Sequence, residues 1–250
     1  MKFQLFSDVH MEMNDSFPTL PKHADILILA GDMGNISQPN FEKFIKYVSE
    51  TWKHIIYVPG NHEYYHKELS VTELNDKYKY LMDQYINIHY LQNDVWSFED
   101  YTFIGSCLWS NPDKQSIEYL NDFYQIKEQT KYGTAGLTLN TFKNMHKECV
   151  KFLKDTINVP NNKIIVITHF PPVRANTSHP KYKDDELKNY FTNDLDEMGI
   201  EVNKITMWIS GHTHYSYDFT KNKCRFLSNQ MGYTTEIKES KFNQQGLFEV

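Results

Sequence analysis

The 250-residue sequence predicts an α/β fold with mixed sheets in one domain spanning residues 1–250, on three observations. Short apolar runs alternate with segments of helical periodicity, a βαβ rhythm. Two runs, ADILILA and KIIVITHF, are apolar on both faces, as strands inside a covered sheet are. The last part adds short strands near SYDFT and CRFLSN, and this late antiparallel pairing points to two sheets packed together with helices outside.

Each element follows in order. KFQLFS reads as a first strand and ADILILA as a second, central one. Phe41, Phe44, Ile45, Val48 and Trp52 recur at helical spacing, after which HIIYVPG returns to strand. SVTELNDKYKYLMDQY carries a second helical pattern, followed by a short strand at IHYL. VWSFED and YTFIGSCLWS form an expected hairpin turning at Glu99-Asp100. A helix over about 139–155 is expected to bury Phe142, Met145, Cys149, Phe152 and Leu153. KIIVITHF is the next strand, the polar stretch TSHPKYKDDELKNYFTNDLDEMG is expected to end in a helix, and KITMWISGH is again a strand.

Composition limits the function. Hydrophobic residues make up 40% and aromatic residues 15%, enough for a substantial core. The net charge is -6 with both signs interspersed, so no footprint for a nucleic-acid duplex is present, although nucleic acid could still be a substrate for a local site. No apolar run reaches the roughly 18 residues a membrane span needs, and the apolar start is too short for a signal peptide. Cys107, Cys149 and Cys224 are odd in number and lack a CxxC spacing, which fits buried thiols in a reducing compartment. The expectation is a soluble, cytoplasmic protein.

The polar residues collect behind the strands. FSDVH leaves Asp8 and His10, LAGDMGN leaves Asp32, and VPGNHEYY leaves Asn61 and His62. VITHFPP leaves His169, and WISGHTHYS leaves His212 and His214 behind Gly211. Carboxyl ends of parallel strands share one edge, where ligands bind, so these groups are expected to converge. Taken alone, the His212 and His214 pair would be two solvated loop histidines; the partners elsewhere in the chain overturn that reading. Carboxylate, imidazole and amide oxygen without sulfur suit borderline divalent ions such as Mn, Fe or Zn. The groups exceed what one four-coordinate ion needs, and two ions about 3.5 to 4 Å apart, bridged by a shared carboxylate, would use them all.

The order D-x-H, G-D, G-N-H-E, H, G-H-x-H resembles the calcineurin-like metallophosphoesterase superfamily, from the first strand to within forty residues of the C-terminus. LNDFYQI and SNQMGYTTE further resemble features of a widespread bacterial-type branch. The resemblance implies a four-layer αββα sandwich of two packed mixed sheets flanked by helices, with a dinuclear site at their carboxyl edge. It assigns one metal to Asp8, His10, Asp32 and His214 and the other to Asp32, Asn61, His169 and His212, with Asp32 bridging. His62 would protonate the leaving oxygen or stabilise phosphoryl charge, and a water or hydroxide bridging the ions would attack phosphorus in line.

Two positions depart from the pattern. Many family members carry a further acid after G-D that can orient the histidine of G-N-H; here Asn35 stands there. Where another common form has a second histidine in the fourth block, this chain has Phe170.

Further substrate contacts are expected from loops. Segments near 111–138 and 171–190 are expected to overhang the site, carrying Asn121 and Asp122 in a substrate, supporting or capping role. His66, His179 and Arg174 are candidate substrate contacts, Arg174 as a bidentate phosphate clamp, each weighed against an ordinary solvated side chain.

The expected function is hydrolysis of a phosphoester, with a diester ahead of a monoester. Protein phosphatase activity is disfavoured because Asn35-Ile36 and Tyr65 stand where such enzymes carry phosphate-binding arginines. The alternative from another class is a non-catalytic interaction scaffold, as the retromer subunit of the superfamily illustrates; the full ligand set argues against it.

Overall fold

The computed structural model describes residues 1–13, 17–158, 163–182, 187–236 and 238–250. Thirteen strands and six α-helices follow in chain order among them. The first sheet contains β1 (Lys2–Phe6), β2 (Ile26–Ala30), β3 (His54–Val58), β4 (Ile88–Tyr90) and β13 (Leu247–Glu249) in the order β13-β1-β2-β3-β4. The second contains β5 (Asp94–Phe98), β6 (Tyr101–Ser106), β9 (Lys163–Thr168), β10 (Ile205–Ile209), β11 (Asp218–Lys221) and β12 (Cys224–Leu227) in the order β11-β12-β10-β9-β6-β5. Strands β1 to β4 pair in parallel, as do β6, β9, β10 and β12; β13, β5 and β11 are antiparallel edges.

Side-chain alternation builds the layers. Ile26, Ile28 and Ala30 of β2 face Ile165 and Ile167 of β9 in a core between the sheets, while Leu27 and Leu29 turn outward. There they meet Phe41, Phe44, Ile45 and Val48 of α1 (Pro39–Thr51) and Tyr78 of α2 (Val71–Met82). Ile164 and Val166 of β9 turn the other way, toward Phe142, Cys149 and Leu153 of α4 (Leu139–Thr156). The result is the four-layer αββα sandwich. Each large aliphatic side chain so buried contributes about 1.5 to 3 kcal/mol, which explains why runs apolar on both faces occupy the sheet centres.

Local signals set the helix ends. Pro39 opens α1, where its missing N–H costs nothing, and α2 starts with a Ser70–Glu73 capping box. In α4, Thr138 accepts from the Thr141 N–H. The buried stripe of α4 is Phe142, His146, Cys149 and Leu153, whereas Met145 and Phe152 pack only at its margin. His146 displaces them from the expected stripe because its Nδ1 donates to the Trp109 carbonyl at 2.7 Å, which satisfies a polar group inside.

Other details differ from the sequence reading. The expected helix in the polar stretch appears as two single turns, α5 (Lys188–Phe191) and α6 (Leu195–Met198), while 183–186 lie outside the described residues. Asp194 caps α6 and Gly199, at φ 63°, stops it. β13, too short and too close to the end to show a period, and the hairpin of half-buried β7 (Lys127–Thr130) and exposed β8 (Gly133–Gly136), which has no apolar alternation, are additions. The β5–β6 hairpin turns at Glu99-Asp100 with Glu99 at φ 53°. All three cysteines are buried and free. No helix among the described residues is long and apolar enough to cross a membrane.

Candidate metal centre

The loops leaving β1, β2, β3, β9 and β10 meet at one edge of the sandwich, and their backbones are unusual. Asp8, His10, Asp32, His212 and His214 all adopt left-handed conformations, with φ of 56°, 50°, 53°, 76° and 52°. Such turns reverse the chain within one residue and aim successive side chains inward. Two glycines make room. A Cβ on Gly31, itself at φ 89°, would lie 2.3 Å from His169 Nδ1, and one on Gly60 would lie 2.2 Å from Asp32 Oδ1.

All eight side chains expected at the site from the strand ends come together. Their ligand atoms form three groups able to hold a cation: Asp8, His10 and His214; His10, Asp32 and His62; Asp32, His169 and His212. Within each group the atoms lie within 4.8 Å of one another. His10 Nε2 is 2.9 Å from His214 Nε2, and His169 Nε2 is 3.2 Å from His212 Nδ1, 3.1 Å from Asn61 Oδ1 and 3.3 Å from Asp32 Oδ2.

Hydrogen bonds behind the cage decide which atoms face it. His10 Nδ1 donates to Glu12 at 2.7 Å, His214 Nδ1 to Glu236 at 2.5 Å, and His169 Nδ1 to the Ala30 carbonyl at 3.0 Å. Carboxylate and carbonyl oxygens only accept, so the protons sit on Nδ1 and the three Nε2 lone pairs point inward. Asn61 donates its amide to Asp122 Oδ1 at 2.8 Å, which leaves its carbonyl oxygen facing His169. The centre is thus a set of buried acceptors turned toward one another. Only a cation, or protons that ligands must lose on binding one, relieves that arrangement. A divalent metal fits it.

The electrostatics follow from the same neighbours. Burial opposes charge on His62, yet the Asp32 charge and the Glu12 bond outweigh it and raise its pKa to about 9. Burial pushes Glu12 up, but N–H donation from His10 and His62 holds it at about 2. His212 goes the other way: burial, then the charge on His169, push it well below the ordinary imidazole range.

Several residues support the cage from behind. Glu12 holds the His10 and His62 imidazoles from outside the motifs, and Glu236, the last residue of SNQMGYTTE, holds that of His214. Glu63, inside G-N-H-E, accepts the backbone N–H groups of Asp32 at 2.9 Å, Met33 at 2.8 Å and Gly60 at 2.7 Å, and the Tyr57 hydroxyl at 2.6 Å. It ties the second loop to the third. Phe170 packs against His212 with ring centroids 3.8 Å apart and planes tilted by 33°. Asn121 makes no side-chain cap to α3 (Asp122–Gln125), whereas Asp122 supports Asn61.

A cavity of about 370 Å³ opens over the cage, lined by Tyr119 and Asp122 from one expected covering segment and Ser178 and Tyr182 from the other. The three candidate substrate contacts do not reach it. Arg174 is bound by Glu197 at 2.8 Å and Asp194 at 3.6 Å and lines a different cavity, so the expected phosphate clamp is already occupied. His66 Nδ1 accepts the Glu68 and Leu69 N–H groups, and His179 Nδ1 accepts that of Lys181; both rings line other cavities. Short loop bonds hold them away.

An αββα sandwich with such a centre on its carboxyl edge defines the class of metal-dependent phosphoester hydrolases. The chain belongs to the calcineurin-like phosphoesterase family, whose model matches residues 1–216. It is 29% identical over 255 residues to uncharacterized protein L509 of Acanthamoeba polyphaga mimivirus, an alignment covering 92% of this chain and 90% of that protein. Among solved structures it resembles phosphopantetheinyl hydrolase from Mycobacterium tuberculosis, with a TM-score of 0.73 and 15% identity. That superposition covers 100% of this chain and 95% of the other and shows a shared fold.

Proposed function

We propose that the protein is a dinuclear phosphodiesterase. The observation that carries the reading is the set of inward-facing acceptors, with Asp32 common to two of the three ligand groups. Asp8, His10, Asp32 and His214 would hold one divalent ion, and Asp32, Asn61, His169 and His212 the other; the donor chemistry suits Mn, Fe or Zn. When bound, the ions polarise phosphoryl oxygens and lower the pKa of the attacking water.

The remaining work falls to the chain. His62 lines the cavity and turns Nε2 toward Asp32 Oδ2 at 3.9 Å, beside the place where phosphorus must sit. As a hydroxide oxygen, its water proton already released to solvent, bonds to phosphorus, the opposite P–O bond breaks; its electron pair stays on the leaving oxygen, and the His62 Nε2 proton goes to that oxygen. Tyr119, Leu120, Tyr182 and Phe191 give the cavity aromatic and apolar walls suited to the organic groups of a diester. Ile36 and Tyr65, at positions where protein phosphatases carry arginines, favour this over phosphoprotein hydrolysis. Three buried thiols fit a reducing, cytoplasmic setting.

Protein reconstituted with Mn²⁺ is expected to hydrolyse bis(p-nitrophenyl) phosphate and to lose that activity in chelator. Asp32→Asn and His214→Ala should lower bound metal and turnover together, while His62→Ala spares metal and lowers kcat. Metal-replete protein that hydrolyses no diester or monoester, yet pulls down a stable protein partner, overturns the reading in favour of a scaffold.

A further inference from the structure

The histidine assigned to proton transfer lacks the acid that commonly orients it, since Asn35 stands in that place. Asn35 is also committed elsewhere: its Nδ2 donates to the Tyr65 carbonyl at 2.7 Å, and its Oδ1 accepts the Ser37 N–H at 2.9 Å. His62 is nevertheless fixed on three sides. Its backbone N–H donates to Asp32 Oδ1 at 2.9 Å, and its ring stacks on Tyr65 with centroids 4.2 Å apart. Its Nδ1 lies 2.8 Å from Glu12 Oε1.

Glu12 comes from a different part of the chain than the missing acid. It lies in the single 3-10 turn Met11–Met13 directly behind the first ligand loop, and the Gln38 side chain donates to its carbonyl at 2.9 Å. The atom that receives His62 also receives His10 Nδ1, at 2.7 Å. Glu12 Oε2 is buried with no partner among the described residues, so the carboxylate is held in place by the two imidazoles rather than by a network of its own. With the proton kept on Nδ1, His62 presents Nε2 to the cavity.

We propose that Glu12 is the positioning residue for His62, substituting from the first loop for the acid absent from the second. This rests on the reading of His62 as the proton donor. A carboxylate that fixes ring angle and tautomer acts on the transfer of the proton, not on the hold of the phosphoryl group. Its effect therefore depends on how much the leaving oxygen needs a proton.

The test compares Glu12→Gln, His62→Ala and the double variant with the parent, all Mn²⁺-loaded, on two diesters: one with p-nitrophenolate as leaving group and one with a simple alkoxide. Glu12→Gln is expected to lower kcat for the alkyl ester about 10- to 100-fold, the usual scale for such supporting partners. KM, metal stoichiometry and thermal unfolding should stay near parental values, and the nitrophenyl ester should lose far less. The double variant should be no slower than His62→Ala alone.

Equal losses on both esters together with reduced metal content would place the role of Glu12 at His10 and overturn the proposal. So would parental kinetics in Glu12→Gln while His62→Ala shows the leaving-group split; the assignment of His62 would then stand without Glu12. If His62→Ala shows no split, the donor assignment itself falls and the proposal falls with it.

Discussion

Asp122 Oδ1 accepts both the side-chain N–H of Asn61, at 2.8 Å, and the hydroxyl of Tyr65, at 2.9 Å. An amide can present either end to a site, and donation from Asn61 Nδ2 to Asp122 Oδ1 and, at 3.2 Å, to the Tyr65 hydroxyl turns its oxygen toward His169. Asp122→Ala should let the amide rotate and weaken Mn²⁺ binding about 10- to 100-fold. Calorimetric titration checks it; unchanged affinity would show that Asn61 orients itself.

Glu63 joins two loops through three backbone N–H groups and a phenol. Glu63→Gln replaces one acceptor oxygen by a donor facing donors, and unsatisfied buried groups cost about 1 to 3 kcal/mol each. The expected loss is roughly 3 kcal/mol, seen as a lower urea midpoint at unchanged m-value in metal-free protein. A loss confined to the metal-loaded form would instead mean that Glu63 serves the cage rather than the loops.

His89 of β4 stacks on Trp96 of β5 at 3.9 Å, and its Nε2 is buried with no partner among the described residues. Burial, then the nearby His54, lower its pKa from 6.5 to about 4. Between those values the unfolded chain binds the proton and the folded chain does not. The contribution of His89 is therefore full above pH 6.5 and is lost as pH falls toward about 4. His89→Phe should show a smaller drop in urea midpoint from pH 7 to pH 5 than the parent does; identical drops would assign the acid sensitivity to other groups.

The sandwich was legible because apolar alternation and strand order are properties of contiguous residues. β2 and β9 announce themselves in five or six letters, and the motif residues follow them directly. β13 and the β7–β8 hairpin escape the same reading because three residues cannot show a period and a ribbon without apolar alternation has no apolar face. Within the site, ligand-type side chains at strand ends stood out, whereas their supports did not. Glu12 meets a partner 50 residues away, and nothing in a lone glutamate marks such a meeting; Glu236 ends the quoted stretch SNQMGYTTE, yet that stretch does not name the partner 22 residues before it. Glu63 sat inside a quoted motif, but most of its partners are main-chain groups that no side-chain pattern displays. Arg174 failed in the opposite sense: its distance from His169 suggested a clamp, and the Asp194 cap of α6 with Glu197 engaged it first.

The left-handed turns at Asp8, His10, Asp32, His212 and His214 have a consequence for how such a chain can change over time. Each holds a Cβ where crowding costs on the order of 1 kcal/mol. Five together rival a good part of the net stability of an ordinary domain. A lineage released from catalysis would gain robustness by replacing these residues before any others, so erosion of activity and relief of backbone strain would begin at the same positions.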